Sequence, residues 1–297
     1  MASWTLQEVL VETYKELGQL EVSTATGGSA TTLVDSKVAN TLGDDDTSTW
    51  AIFVLEDAGG AGAAPEGEFA LVTTYADGTG TFTVAAGALT SAPGVGDLYG
   101  YMNGLYPLYA TIENVNAALR GLGEIPLVDT TSLDTAAAQT EYTYAVDWKR
   151  SPPFRVDIQT KTTDANDNQW KEIRGWEYVP ATAGSTGLLI LPQLPVSRDI
   201  RVWYQGVHPT VRDYNSAIYE GFERELVVAA CVERSLRWQN SRLQGGDEFL
   251  LARWNDAKIE YERQLAKHVT WMPKRRSNLL ITRTYTEKDE FTTPGPA

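Results

Sequence analysis

The stretch YPLYATIENVNAAL, residues 106–119, predicts a helix that stands between two regions of β-rich sequence. Pro107 suits the first turn of a helix, where its missing amide hydrogen is not needed. Ile112, Val115 and Leu119 then follow at helical spacing, and Pro126 cannot continue the helix. The organisation of the chain therefore depends on what precedes and follows this segment.

The residues before this helix predict a short amphipathic helix and then a small antiparallel β module. Thr5 and Glu8 have the spacing of a capping box at the start of the first helix. Residues 21–104 are rich in Gly, Thr, Ala and Val, with strand-length runs such as TWAIFVLED, FALVTTYAD and GTFTVAAG. Asp77-Gly78 is a strong hairpin signal between two of these runs. We expect a small barrel or sandwich here.

The residues after the helix predict a second β region over 126–211. Apolar and polar side chains alternate with period two in two segments, which is typical of strands with one buried and one wet face. In one of these segments Phe154, Val156 and Ile158 alternate with Arg155, Asp157 and Gln159. Further strands are expected at WKEIRGWEYV, GLLILP and DIRVWYQGV, which together indicate a β-sandwich.

The last third returns to a helical pattern. Ser216 can cap a long helix, Gly245-Gly246 breaks it, and Asp247 can cap a second helix, so that the two form an αα-hairpin. The predicted fold class is α+β. A discontinuous helical bundle (1–20, 105–125 and 212–269) is interrupted by a small β-barrel-like insert (21–104) and a β-sandwich (126–211). An extended C-terminal arm (270–297) follows.

Charge is distributed unevenly along the chain. The formal net charge is −14, and residues 1–130 contain 17 acidic but only 3 basic residues. Such a segment repels nucleic acid and favours a basic partner. No apolar run reaches the length needed to span a bilayer, so no membrane contact is expected. The single cysteine, Cys231, excludes an internal disulfide and is expected to be buried.

The sequence offers little support for catalysis, and we expect a protein that is not an enzyme and has no cofactor or metal. His208 and His268 are the only histidines, and no nucleophile motif accompanies either. The segment that begins at Asp164 has the odd spacing of a calcium loop. It lacks the glycine of that motif, because Gln169 takes its place, and Gly175 replaces the final acid.

The C-terminal arm contains a basic cluster and a short β-prone run that cannot bury much against their own domain. It is either disordered or ordered only on a partner, with NLLITRTY adding as a strand to another chain's sheet. Trp271 is a large aromatic residue outside a predicted domain and is expected to anchor in a partner's pocket.

The order of these segments resembles the head-to-tail connector, or adaptor, proteins of tailed bacteriophages. The resemblance covers Leu6 to about Val269. It rests on the first helix, the Gly/Thr-rich insert with TTLVD, TGTFTV and GDLY, the helix beginning YPLYATIENVNAAL, the β-sandwich ending RVWYQGVHP, and the helical hairpin. It implies a self-assembled ring, commonly of twelve subunits, beneath the portal at the capsid vertex. The ring would continue the DNA channel towards the neck or tail-terminator protein, without sequence-specific DNA binding.

The resemblance also implies a location and a set of contact residues. The chain would be made in the host cytoplasm and reside in the neck of the virion, with its helices in the ring wall and its C-terminal extension on the portal protein. The implied portal-contacting set is Trp271, Lys274, Arg275, Arg276, Leu279, Leu280, Ile281 and Tyr285.

Two alternatives stay open at the level of sequence. A carbohydrate- or receptor-binding virion module could use the tryptophans of the second β region, Trp148, Trp170, Trp176 and Trp203, because aromatic faces stack on sugar rings. A core role for these residues is favoured over a ligand-binding one. A hydrolase is the least favoured reading, since its best acids, Asp164 and Asp167, fall in a predicted turn.

Overall fold

The computed structural model describes residues 4–43, 49–60, 62–130, 133–136, 138–143, 152–160, 170–180, 187–243 and 247–268. These residues form two compact units, the first with residues 4–123 and 208–268, the second with residues 124–207. The fold class is α+β, as predicted, with four α-helices and three antiparallel sheets in the described ranges. None of the helices in these ranges has both the length and the apolarity to cross a membrane.

The four helices all belong to the first unit. Their bounds are α1 Leu6–Glu16, α2 Leu108–Gly121, α3 Arg224–Arg242 and α4 Glu248–Lys267. The predicted capping box of α1 is confirmed, because the Thr5 side chain accepts from the Glu8 amide while the Glu8 carboxylate accepts from the Thr5 amide. The helix after Pro107 is confirmed as α2, and Asp247 caps α4 by accepting from the amides of Phe249 and Leu250.

A seven-stranded antiparallel sheet occupies the sequence between α1 and α2. Its strands are β1 Leu20–Thr24, β2 Gly27–Ser29, β3 Thr32–Val34, β4 Ala51–Glu56, β5 Phe69–Ala76, β6 Thr81–Val84 and β7 Leu98–Met102. They pair in the order β1-β7-β4-β5-β6-β3-β2. The predicted turn at Asp77-Gly78 is confirmed between β5 and β6, and Gly80 supplies the left-handed residue there, with φ 62°.

The two ends of this sheet lie close together along the chain. No ladder pairs β1 with β2 in the described residues. However, only Ala25 and Thr26 separate these end strands, which requires the sheet to roll until its edges meet. The rolled interior holds an apolar cluster that includes Leu33, Ile52 and Phe82.

Helix α1 packs on the outer face of the rolled sheet. The ring of Tyr14 lies 5.6 Å from that of Phe53 on β4, and the Gln7 Nε2 donates to the carbonyl of Val54. Helix α3 contacts α1, α2 and α4. These contacts join helices from three separate stretches of sequence, and they bury α1 on the sheet and on α3 while its Glu12 and Glu16 stay outside.

The expectation that Ser216 caps the long helix is wrong, because α3 begins at Arg224. Ser216 instead closes a turn in which its Oγ accepts from the Asp213 amide. The backbone next to it pairs with the start of the chain, with Leu6 N donating to the Ser216 carbonyl and Ile218 N to that of Trp4. These tertiary hydrogen bonds use backbone groups that a helix would have needed.

The second unit contains two antiparallel sheets. One has the order β11-β10-β14-β8 and the other the order β12-β13-β9. Their bounds are β8 Glu124–Asp129, β9 Glu141–Thr143, β10 Arg155–Gln159, β11 Trp170–Glu172, β12 Glu177–Val179, β13 Leu188–Ile190 and β14 Ile200–Val207. A single apolar cluster takes side chains from both sheets, including Tyr142, Val156, Leu189 and Val202, which supports the sandwich prediction.

Two details of this unit differ from the sequence prediction. The run WKEIRGWEYV is not one strand, because Gly175 has a φ of 76° and the chain passes there from β11 of one sheet to β12 of the other. Asp157, expected on a wet face, is fully buried. The alternation of β10 therefore fails at Asp157, where arginine and tryptophan side chains cover the carboxylate, and also at Gln159, which is only 9% exposed.

Candidate interaction surfaces

The eight residues assigned to portal contact, from Trp271 to Tyr285, lie outside the described residues, as do Trp148, Asp164 and Asp167. Their assignments stay predictions. The described chain ends just after α4, where the His268 amide donates to the carbonyl of Gln264.

A groove of about 560 Å³ lies in the first unit between α1, α3 and α4. Val228, Ala229 and Val232 recur at helical spacing on α3 and give it an apolar floor. Charged side chains from all three helices form the rim. An apolar floor with a charged rim is the usual composition of a surface that binds a protein segment.

The rim of this groove is predominantly acidic. Five acids, Glu12, Glu16, Glu225, Asp256 and Glu260, line it together with two arginines. Both arginines are already engaged: Arg224 lies 3.3 Å from the Glu12 carboxylate and Arg253 donates to the carbonyl of Leu17. The formal charge around the groove is therefore negative, and its cations have partners within the unit.

Two acids of the rim can still form ion pairs, and one amide oxygen can still accept a hydrogen bond. Glu16 and Asp256 are exposed, and neither forms an ion pair with the described residues. Gln264, only 9% exposed, donates through Nε2 to Glu260, but its Oε1 has no hydrogen-bond partner in the described ranges. A buried acceptor without a donor costs stability, so a donor that enters the groove would bind favourably there.

A second cluster of charged and aromatic side chains lies on the four-stranded sheet of the second unit. The Asp157 carboxylate is 2.7 Å from Arg155 Nε and 2.9 Å from Arg201 Nη2, and it accepts from the Trp203 indole at 2.8 Å. Burial alone would raise the pKa of Asp157. Hydrogen bonds from Arg155, Trp203 and Arg201 outweigh burial and hold that pKa below its ordinary value.

The three described tryptophans of this unit divide into one core residue and two residues on the outer face of a sheet. Trp176 is buried in the core cluster. Trp170 and Trp203 share the outer face of the sheet, but the Arg201 guanidinium lies 4.4 Å from the ring centroid of Trp170 and 5.1 Å from that of Trp203. Arginine thus occupies aromatic surface that a sugar would need.

His208 and Cys231 of the first unit are both buried, in surroundings typical of residues that stabilise a fold. His208 is buried, its Nδ1 lies 2.7 Å from the Pro209 carbonyl, and its Nε2 accepts from the Tyr219 amide. Burial lowers the pKa of His208, so the ring is held neutral. Cys231 is buried, as predicted, and burial raises the pKa of its thiol to about 11. Neither group lines the groove between α1, α3 and α4.

The described residues contain no group of three His, Cys, Asp or Glu side chains that could hold a metal ion. Comparison with known proteins adds no identification, since no family model matches the chain and no curated protein matches it. Function must therefore be inferred from the arrangement of the helices, the acidic groove and the distribution of charge.

The sequence prediction missed the groove. Its signal was present, because Glu12 and Glu16 are four residues apart and Arg253, Asp256, Glu260 and Gln264 recur at three- or four-residue spacing. Such stripes indicate one charged face on each helix. Which faces would meet could not be predicted, since that depends on how α1 and α4 both pack against α3.

Proposed function

We propose that this chain is a structural subunit of a tailed-bacteriophage neck, a head-to-tail connector that forms a ring, assembled from copies of itself, between the portal and the tail. One observation carries the proposal. Helices from three separate stretches of sequence meet through α3, and the intervening sequence forms a rolled sheet and a two-sheet unit. This is the order of segments on which the resemblance to connector proteins rests.

The charge distribution supports a role beside DNA without tight DNA binding. Tight DNA binding needs lysines and arginines that neutralise phosphates. Residues 1–130 carry 17 acidic and 3 basic side chains, so this segment suits a lumen or an outer wall. On this proposal the protein resides at the portal vertex of the virion and DNA passes without sequence-specific contact.

The finer parts of the proposal concern the ring wall and the arm. The helices would form the wall of a ring of twelve copies, bundled around α3, and residues 270–297 would form an extended arm that reaches the portal. A downstream neck or tail-terminator protein would bind the opposite side of the ring. The protein would have no catalytic activity and no cofactor.

The portal contact can be tested with purified portal rings and the full-length chain. Replacing Leu279, Leu280 and Ile281 by Asp should weaken co-sedimentation with the portal at least about tenfold, since each apolar side chain loses about 1.5–3 kcal/mol of burial. A matched triple change to Asp at exposed Val95, Leu105 and Ile259 should leave binding unchanged. Unchanged binding of the arm variant would contradict the arm assignment, and no portal binding by the wild type would contradict the connector proposal.

The structure does not favour the carbohydrate-binding alternative. Of its four candidate tryptophans, Trp176 belongs to the core, and the rings of Trp170 and Trp203 are stacked against Arg201. A glycan array with the wild type and with Trp170→Ala would test the carbohydrate-binding alternative. Binding that this substitution abolishes, with the fold intact, would revive the sugar-binding reading.

A further inference from the structure

The geometry points to a second copy of this chain as the occupant of the acidic groove, with residues 271–276 of that copy as the segment that enters it. This inference rests on the proposed function in one respect, namely that copies lie side by side. It divides the predicted portal-contacting set. Trp271, Lys274, Arg275 and Arg276 would bind the neighbouring subunit, and Leu279, Leu280, Ile281 and Tyr285 would remain for the portal.

Charge complementarity is the first argument. The segment WMPKRR has three cations within six residues and no acid. The groove has five acids on its rim, and among the described residues Glu16 and Asp256 have no ion-pair partner. Opposite charges arranged in this way favour encounter and fix the register of the bound segment.

Chemical fit inside the groove is the second argument. The apolar floor at Val228, Ala229 and Val232 offers burial to a large side chain such as Trp271. Among the described residues, the Oε1 of Gln264 has no hydrogen-bond donor. An arginine N–H of the segment would supply that donor, so the groove provides for both the apolar and the basic parts of the segment.

Length is the third argument. The groove extends along α4 from Arg253 to Gln264, a distance of about 16 Å at the helical rise of about 1.5 Å per residue. An extended chain covers this length with about five residues at about 3.3 Å each. Residues 271–276 match it, and the β-prone run 278–285 would lie beyond the groove.

The groove of the same chain is a poorer site for this segment. Helix α4 ends at Lys267, and only three residues separate that end from Trp271. A reversal of chain direction uses about four residues, so the turn would include Trp271 itself. Binding to a neighbour needs no reversal. A groove that receives the segment of a neighbouring copy makes a head-to-tail contact, which closes into a ring when the rotation allows it.

Two full-length variants test the inference by sedimentation velocity at low salt. The groove variant carries Glu16→Lys and Asp256→Lys, and the arm variant carries Lys274→Glu, Arg275→Glu and Arg276→Glu. Each should weaken self-association at least about tenfold relative to the wild type. Because Glu16 and Asp256 are exposed, the groove variant should keep the wild-type circular dichroism. Glu248→Lys with Glu262→Lys is the matched control, since both residues are exposed on α4 and do not line the groove.

Mixing the two variants decides whether the contact is between chains. In an equimolar mixture, the intact segment of the groove variant can enter the intact groove of the arm variant, and the reversed charges of the other segment and groove are complementary as well. We therefore expect particles of two or more copies in the mixture and monomers in each variant alone. Monomers in the mixture, or equal self-association of groove variant and control, would overturn the inference.

The wild type provides the outcome that separates this inference from the proposed function. A wild-type chain that stays monomeric at concentrations up to about 100 µM would overturn the groove contact. The connector proposal would survive that result, because ring subunits can close only on a template such as the portal. Conversely, self-association through the groove without portal binding would leave the inference standing and contradict the connector proposal.

Discussion

The two units of this protein use clustered charges in opposite ways. In the second unit the Asp157 carboxylate is fully buried, and Arg155, Arg201 and Trp203 satisfy it from within the same sheet. In the groove of the first unit, Glu16 and Asp256 lie on an open rim with no ion-pair partner among the described residues. The first arrangement stabilises a fold, and the second is available to another molecule.

This difference follows from burial. Removing one partner of a buried ion pair leaves an uncompensated charge in a poorly solvated site, which is strongly destabilising. Exposed charges contribute little to folding because water and salt screen them. Substitutions in the two clusters should therefore separate stability from binding, and the following predictions are ordered by the expected size of the effect.

Asp157→Ala should destabilise the second unit by about 3 kcal/mol, because it leaves Arg201 and the Trp203 indole without their acceptor. The contribution of Arg155 is smaller, since its side chain is 44% exposed and its ion pair is screened. Urea denaturation followed by tryptophan fluorescence measures the loss. Glu177→Ala, at an exposed position of β12, is the control. A loss below about 1 kcal/mol would show that the cluster does not stabilise the unit.

Lowering the pH from 7.5 to 5 should destabilise the first unit and spare the second. The folded pKa of His208 lies below its ordinary value of 6.5, so its contribution is complete above pH 6.5 and is lost as the pH falls towards the folded pKa. The folded pKa of Asp157 lies below 3.8, so its contribution persists to lower pH. Urea midpoints at the two pH values test this. His208→Gln should make the stability of the first unit less sensitive to pH. Equal pH sensitivity of the variant and the wild type would contradict the role assigned to His208.

Asp247→Ala should destabilise the first unit by about 1 kcal/mol, because the amides of Phe249 and Leu250 lose their cap. Hydrogen exchange should quicken in the first turn of α4 and stay slow in α1. Asp247→Ser, which can still cap, should restore most of the protection. Equal exchange in Asp247→Ala and wild type would show that the cap is dispensable.

How much of this could be predicted from sequence depended on whether an interaction was local. The capping box of Thr5 and Glu8 and the helix after Pro107 involve neighbours in the chain, and both predictions were confirmed. The predicted cap at Ser216 was wrong, because Ser216 and Ile218 form tertiary backbone hydrogen bonds with Leu6 and Trp4. Local propensity cannot reveal such pairing.

The two charged clusters were missed for the same reason. The burial of Asp157 depends on the register that places Arg201 opposite it on β14 and Trp203 opposite Arg155. The groove depends on the packing of α1 and α4 against α3. Periodicity predicts which face of an element is charged, but the partner of that face is set by tertiary structure.

The smallest expected effect on stability belongs to the groove. Glu16→Gln with Asp256→Asn should change the free energy of unfolding by less than about 0.5 kcal/mol, since both side chains are exposed and form no ion pair with the described residues. The same variant should weaken self-association. Urea denaturation and sedimentation velocity on one sample would compare the two effects. A loss of stability above about 1 kcal/mol would mean that these acids support the fold and not a partner.

The most direct test of the connector proposal is electron microscopy of the full-length chain mixed with portal rings. The proposal predicts a second ring of identical subunits stacked on one face of the portal, with twelve copies and an open central channel. Portal rings that remain bare while the added chain stays dispersed would contradict it.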